Sequence, residues 1–226
     1  MNKEHKEIRA MIFDLDGVIT DTAKYHYEAW KLLADELGLP FDREFNEQLK
    51  GIDRIASLEK ILSQSPDGGQ FVTREQKQEW ADRKNANYQL LIERVDESEL
   101  LPGIMDLFED LLAAGIPIGL ASASRNARTL LQQLKLVSRF DVIVDPSSVA
   151  QGKPAPDIFL KAAEELGVAP HYCVGVEDAE AGIQAIKRAG MFAVGVGDAD
   201  ILSTADYIVS ETRQLSLERI NSHFFK

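Results

Sequence analysis

Phe13-Asp14-Leu15-Asp16-Gly17-Val18 sets two carboxylates two residues apart, directly behind a short apolar run. In an extended chain residues i and i+2 point to the same face, so Asp14 and Asp16 converge on one spot beyond the carboxyl end of that strand. Open α/β sheets place their sites at such an edge. Two carboxylates held so close repel each other unless a cation or a proton resolves the conflict. The pair therefore suggests either a divalent metal or a nucleophile beside a protonated acid. Taken alone, Asp-x-Asp fits a polar strand-to-loop turn equally well.

Three further stretches have the same character. Ile118-Gly119-Leu120-Ala121-Ser122-Ala123-Ser124, followed by Arg125-Asn126, combines small hydroxyl side chains with the start of a helix. Backbone N–H groups there can seat a phosphate with help from the helix dipole, although a serine also serves as a helix cap. Gly152-Lys153-Pro154-Ala155-Pro156-Asp157 holds a lysine in a stiff proline-flanked loop, suited to neutralising a transferring phosphoryl oxygen. Gly175-Val176-Glu177-Asp178-Ala179-Glu180-Ala181-Gly182 puts adjacent acids after another apolar run. Mg2+ prefers hard oxygen ligands, so Asp178 with Asp14 would suffice to hold it; Asp178 would otherwise be a helix N-cap.

These residues need a frame, and the sequence supplies one. Strand-length apolar runs at 10–13, 116–121, 142–144, 173–176, 193–196 and 207–209 alternate with helical patterns near 104–114, 127–134, 157–166 and 179–189. Gly115, Gly167 and Gly190 fall where helix C-caps belong. The order implies an α/β fold with a Rossmann-like parallel sheet covered by helices on both faces. The four stretches then follow four strands of one sheet. From 22 to 99 the alternation stops, and helical patterns at 25–37, 54–62 and 74–94 surround a loop at 65–69. This reads as an inserted all-helical cap domain over residues 22–99, on a core of residues 1–21 and 100–226. The crossings lie near Asp21-Thr22 and in 97–103, where Pro102-Gly103 marks a turn.

With 226 residues, 45% of them hydrophobic and 27% charged, the composition is that of a globular chain. A formal net charge of -12 argues against nucleic acid and anionic membranes as partners, yet leaves room for a small anion in a cleft with local cations. The lone Cys173 sits in an apolar run and reads as an inert core residue. Without a signal-peptide pattern or a long apolar run, a cytoplasmic location is expected. Nothing marks an interface, so a monomer is the default expectation. Extra residues before about Ala10 read as a frayed extension.

The order Asp-x-Asp, Ser, Lys, Glu-Asp at successive strand ends resembles the haloacid dehalogenase-like superfamily. Within it, Phe13 to Ala23 with Tyr25-His26 and Ala29-Trp30, Phe45-Asn46-Glu47-Gln48-Leu49-Lys50-Gly51 and Arg83-Lys84-Asn85 resemble the beta-phosphoglucomutase family, and the likeness runs through the chain after about Ala10. The resemblance implies Asp14 as nucleophile, Asp16 as general acid/base, and Mg2+ held by Asp14, the Asp16 backbone carbonyl, Glu177 and Asp178. It implies that Thr22 lies in the hinge, and that His26, supported by Lys84, couples the cap to Asp16. Trp30, Lys50, Gly51, Arg54 and Ser57 of the cap would line the sugar-phosphate site. Ser122, Ala123 and Lys153 would hold the transferring phosphate, and Ser124, Arg125 and Asn126, with Arg54, the far one.

That pattern implies interconversion of beta-glucose 1-phosphate and glucose 6-phosphate through an aspartyl phosphate and beta-glucose 1,6-bisphosphate. The alternative is a sugar-phosphate phosphatase using the same aspartates, and a rival of another class is a non-catalytic sugar-phosphate-binding regulator. Two departures bear on specificity: the family pattern has lysine where Arg125 stands and serine where Asp53 stands. Arginine offers a planar fork instead of a point charge, and Asp53 would weaken the second phosphate seat if it faced the cleft. Apart from the resemblance, His26 reads as a partly buried helix residue and Arg83-Lys84 as a solvated helix face.

Overall fold

A computed structural model describes residues 7–225; the extension expected to fray falls largely on residues 1–6, outside the described residues. The strands are β1 (Ala10–Phe13), β2 (Ile118–Leu120), β3 (Val142–Ile143), β4 (Cys173–Glu177), β5 (Phe192–Val196) and β6 (Tyr207–Val209). They form one parallel sheet in the order β3-β2-β1-β4-β5-β6. Four helices follow β1 before the chain returns to the sheet: α1 (Ala23–Glu36), α2 (Arg43–Glu47), α3 (Arg54–Leu62) and α4 (Arg74–Ile92). The others are α5 (Ile104–Ala113), α6 (Ala127–Gln133), α7 (Asp157–Leu166), α8 (Glu180–Arg188) and α9 (Leu217–Phe224).

All four residues of β1 are buried, and they divide between two faces. Met11 and Phe13 pack with Leu107, Phe108, Leu130 and Ile220, whereas Ala10 and Ile12 pack with Phe159, Ala162, Ile183 and Ile186. Helices α5, α6 and α9 thus cover one face and α7 and α8 the other, which is why the strands read as continuous apolar runs. Register aligns the site: Phe13 pairs with Leu120 on one side and Val176 on the other. The residues that follow, Asp14, Ser122 and Glu177, therefore emerge along one edge.

Helices α1, α3 and α4 enclose a smaller cluster that includes Trp30, Leu33, Leu58, Ile61 and Ala81. The two chain crossings lie side by side, with Leu101 N donating to Ile19 O at 2.9 Å and Thr20 Oγ1 to Glu99 O at 2.8 Å. Gly167 ends α7 at φ 69°, and Gly115 and Gly190 follow α5 and α8 in the same left-handed conformation, as their positions imply.

Differences from expectation have local causes. Strand β2 starts at Ile118 rather than 116 because Ile116 N donates to Leu111 O in the turn that closes α5, at 2.9 Å, and Pro117 has no N–H to offer. Helices α2 and α9 are additional to the expected set. The second carries a legible signal: Ser216 caps it by accepting from Arg219 N, and Ile220 and Phe224 are buried at i, i+4. Cys173 is buried as expected, and burial pushes its thiol up to about 12.

Gly175 lets α8 lie against β4, since a Cβ there would come within 2.6 Å of Ile186. Overpacking of this kind costs about 1–3 kcal/mol. Gly175→Ala should lower the unfolding free energy by that amount, measured by urea denaturation; unchanged stability would contradict the packing described.

Candidate active site

Asp14 follows β1 with its backbone N–H bonded to Val176 O at 3.0 Å and its side chain buried. Lys153 reaches it from the loop before α7: Nζ donates to Asp14 Oδ1 at 2.7 Å and to Glu177 Oε1 at 2.6 Å. Burial alone would lower the lysine's pKa, but the two carboxylates outweigh it and hold the ammonium charged. Glu177 Oε2 accepts from Ala179 N at 2.8 Å. It can lie there because residue 182 is glycine; a Cβ would fall 1.9 Å from Glu177 Oε1.

Carboxylate oxygens of Asp14, Glu177 and Asp178 lie within 4.8 Å of one another. Burial, and after it the charges of Glu177 and Asp14, push Asp178 well above the ordinary carboxylate range. Burial likewise raises Glu177 against the opposing pull of Lys153. One ammonium among these acids leaves excess negative charge, and the hard oxygen set fits a divalent cation such as Mg2+.

Asp16 is held differently. Its pKa rises to about 8, first because it is buried and next because Asp14 is close, so it stays protonated at neutral pH. Its Oδ2 lies 3.8 Å from His26 Nε2 on α1. The other face of that imidazole meets Lys84 of α4, with Nζ 2.9 Å from Nδ1. Burial, then Lys84 and Arg54, keep His26 well below its usual pKa, so the ring is neutral. With Lys84 donating to Nδ1, the ring proton sits on Nε2 and faces Asp16. Burial, then Arg54, lower Lys84 to about 7. Trp30 and Tyr88 flank its ammonium at 4.8 and 4.7 Å from their ring centroids.

Thr22 starts α1, and its carbonyl accepts from His26 N at 3.1 Å, which fixes where the histidine leaves the helix. Among the described residues, the buried side-chain atoms without a hydrogen-bond partner are Asp16 Oδ1, Thr22 Oγ1, His26 Nε2, Tyr88 OH and Gln133 Oε1. The first four belong to the joint between α1, α4 and the Asp14–Asp16 segment, and Gln133 ends α6.

The cleft between the α1–α4 helices and the sheet edge has a volume of about 280 Å³. Its walls include Asp14, Asp16, His26, Trp30, Lys84, Ser122 and Lys153. Ser122 is buried beside Asp14's strand, and its Oγ accepts from Ser124 N at 3.1 Å. Ala123, Ser124 and Arg125 continue the wall. At the other end Arg54 Nη2 donates to Asn85 Oδ1 at 2.7 Å, and Asn126 Nδ2 donates to the same oxygen at 2.9 Å. Burial, then the charge of Arg125, depress the Arg54 guanidinium, so the two arginines repel across a gap that an anion would relieve. The cleft thus has a cationic group at each end.

Several residues sit where the pattern implies, and some do not. Gly51, at φ 72°, brings the α2–α3 loop onto the core, where a Cβ would meet Ala179 Cβ at 3.0 Å; this is a closed arrangement. Lys50 turns toward the acids, 2.7 Å from Glu47 and 3.9 Å from Asp178 Oδ2. Ser57 Oγ donates to Asp53 O at 2.9 Å, so its hydroxyl proton is engaged within α3. Asp53 caps α3, its Oδ1 accepting from Ile55 N and Ala56 N at 2.8 and 3.0 Å, and it also lines the cleft beside Arg54. Arg83 is on a solvated face, paired with Glu36, but Lys84 is buried, unlike the solvated reading of that dipeptide. Tyr88 and Gln89 are additions; Ala81, Lys84, Tyr88 and Ile92 form the buried stripe of α4, and a lysine within such a stripe is the signal.

A family model described as haloacid dehalogenase-like hydrolase matches residues 8–190. The chain belongs to that family. A Bacillus subtilis (strain 168) protein named beta-phosphoglucomutase is 51% identical over 217 residues, 96% of each chain. The crystal structure of a beta-phosphoglucomutase from Clostridium difficile superposes with a TM-score of 0.93 at 46% identity, covering 96% of this chain and 97% of that one. A fructose-1-phosphate phosphatase of Escherichia coli is 34% identical over 194 residues, 85% of this chain and 98% of the relative. The Rossmann-like core and the enzyme class are thereby established.

The acid cluster predicts a metal response that does not depend on activity. Mg2+ should raise the melting temperature of the unmodified protein, since a ligand that binds only the native state stabilises it by about 2.7 kcal/mol at a hundred times its Kd. Asp178→Asn should relieve repulsion without metal, leaving apo stability equal or higher, and should abolish most of the Mg2+ gain. An undiminished gain in that variant would remove Asp178 from the ligand set.

Proposed function

We propose that this chain is a beta-phosphoglucomutase, interconverting beta-D-glucose 1-phosphate and glucose 6-phosphate through beta-glucose 1,6-bisphosphate. The observation that carries the reading is a pair of separate cationic seats lining one cleft. Lys153 and Ser122 stand beside Asp14, and Arg54, Arg125 and Asn126 stand at the far end. A hydrolase of monophosphates has less use for the second seat, and the likeness to the Bacillus subtilis relative supports the same choice.

In this mechanism Asp14 attacks phosphorus and becomes an aspartyl phosphate while the bond to the sugar oxygen breaks. Asp16, protonated beforehand, gives its proton to the departing oxygen. The bisphosphate forms when a free hydroxyl of a sugar monophosphate attacks the aspartyl phosphate, Asp16 taking the hydroxyl proton and Asp14 leaving as a carboxylate; transfer of the other phosphate to Asp14 then releases the isomeric monophosphate. Lys153 offsets charge on the phosphoryl oxygens. Mg2+ held by Asp14, the Asp16 backbone carbonyl and Asp178, with Glu177 beside them, would supply further charge neutralisation.

Residues 22–99 act as the cap. Closed, they bring His26, with Lys84 behind it, up to Asp16 and keep water from the aspartyl phosphate. Open, they let the bisphosphate turn round. The reading is of a monomeric cytoplasmic enzyme; among the described residues no helix is long and apolar enough to cross a membrane.

A coupled assay with Mg2+ and a trace of the bisphosphate tests this. Beta-glucose 1-phosphate should yield glucose 6-phosphate, the alpha anomer should not, and Asp14→Asn should abolish turnover. Inorganic phosphate released faster than glucose 6-phosphate forms would make the chain a phosphatase. The raised pKa of Asp16 sets the sign of the pH profile. The neutral acid is present below about 8 and lost above it, and a bound cation can only lower that value. kcat/KM should therefore fall toward a limiting tenfold per pH unit, with a midpoint no higher than about 8; a flat profile through pH 9 would exclude Asp16 as the proton donor.

A further inference from the structure

The far anion seat depends on which way one amide points. Asn126 begins α6 on the core side and is buried, and its carboxamide could present either an acceptor oxygen or a donor nitrogen to an anion. A chain of hydrogen bonds decides. Arg54 can only donate, so its contact with Asn85 fixes Oδ1 of Asn85 toward Arg54. That oxygen also accepts from Asn126 Nδ2, which fixes the Asn126 amide in turn. Asn126 Oδ1 then faces α4, where Gln89 Nε2 donates to it at 3.1 Å. Every link has a donor facing an acceptor.

When a phosphate enters, the Arg54 guanidinium has a stronger partner than Asn85, and the first link of that chain weakens. Gln89 is the one link that stays outside the cleft: it is exposed on α4 and absent from the cleft wall. From this we propose that Gln89 is a positioning residue for the far phosphate, holding the Asn126 oxygen away so that the amide nitrogen, with its second N–H, faces the anion. Because Gln89 is on the cap side and Asn126 on the core side, the contact exists only when the cap is closed. Anion recognition at the far end is thereby tied to closure. The assignment rests on the bisphosphate reading of the cleft.

The test is a double-mutant cycle of Gln89→Leu and Asn126→Ala, with two phosphoryl donors. Gln89→Leu is a substitution at an exposed helix position and should lower the melting temperature by no more than the loss of one ordinary hydrogen bond. It should raise KM for beta-glucose 1,6-bisphosphate about fivefold, the equivalent of one ordinary hydrogen bond, with kcat nearly constant. Acetyl phosphate has nothing to occupy the far seat, so its use as a donor should be unaffected. In the Asn126→Ala background, Gln89→Leu should have no further effect, because it acts through that amide. An unchanged KM in Gln89→Leu, or an equal rise with and without Asn126, would overturn the assignment alone. No turnover of the bisphosphate by the unmodified protein would overturn the mutase reading and this assignment together.

Discussion

Excess buried negative charge at the carboxyl edge of the sheet governs the rest of this molecule. Asp14, Glu177 and Asp178 crowd one spot, Asp16 stands beside them, and Lys153 is the ammonium buried among them. Like charges at these separations cannot all ionise without compensation, and the four acids are relieved in three ways. Asp14 and Glu177 share Lys153. Asp16 keeps its proton, with a pKa near 8. Asp178 is left with the weakest support, Lys50 at 3.9 Å, and is the acid that most needs a cation. On the proposed mechanism, the three roles of nucleophile, acid and metal ligand correspond to one electrostatic conflict solved three ways.

The fold exists to hold that conflict in place. Parallel pairing of β1 with β2 and β4 makes the three strand ends level, so the acids, the serine and the lysine loop meet without long excursions. Two glycines make the crowding sterically possible: Gly182 leaves space for Glu177, and Gly17 leaves space for Asp178, whose Oδ2 would lie 2.1 Å from a Cβ. Cation placement on the cap side follows the same logic in reverse. Lys84 is buried between Trp30 and Tyr88 and loses part of its affinity for a proton, so it can sit against a neutral histidine.

Much of this was legible in the residues, and what was not has physical causes. Strand ends and the four chemical stretches are local signals: apolar run, then acid, serine or lysine, then helix cap. They survive translation into structure because the parallel sheet has one way to align them. The cap side is harder. Lys84 reads as solvated when only hydropathy is considered, since nothing local says that aromatic rings from α1 and α4 will enclose it. Asp53 reads as a charge beside the phosphate seat, yet its Ser-like capping role is visible only once α3 is seen to start at Arg54. Gln89 carries no sequence signal at all; its meaning depends on a partner 37 positions away.

The closed arrangement combines apolar packing with polar contacts. Beyond the two chain crossings, residues 22–99 meet the core through Gly51 on Ala179, Asp53 near Gly152, Lys50 near Asp178, His26 near Asp16 and the amides of Asn85 and Gln89 on Asn126, and through Ala29, Tyr88 and Ile92, which share an apolar cluster with Val18, Ile19 and Leu107. Each polar contact is worth about 0.5–1.5 kcal/mol net, and the lysine pair less. On the proposed mutase reading, the polar contacts among Arg54, Asn85, Gln89 and Asn126 are the ones a second phosphate would compete for, whereas the apolar packing of α1 and α4 on the core is indifferent to an anion.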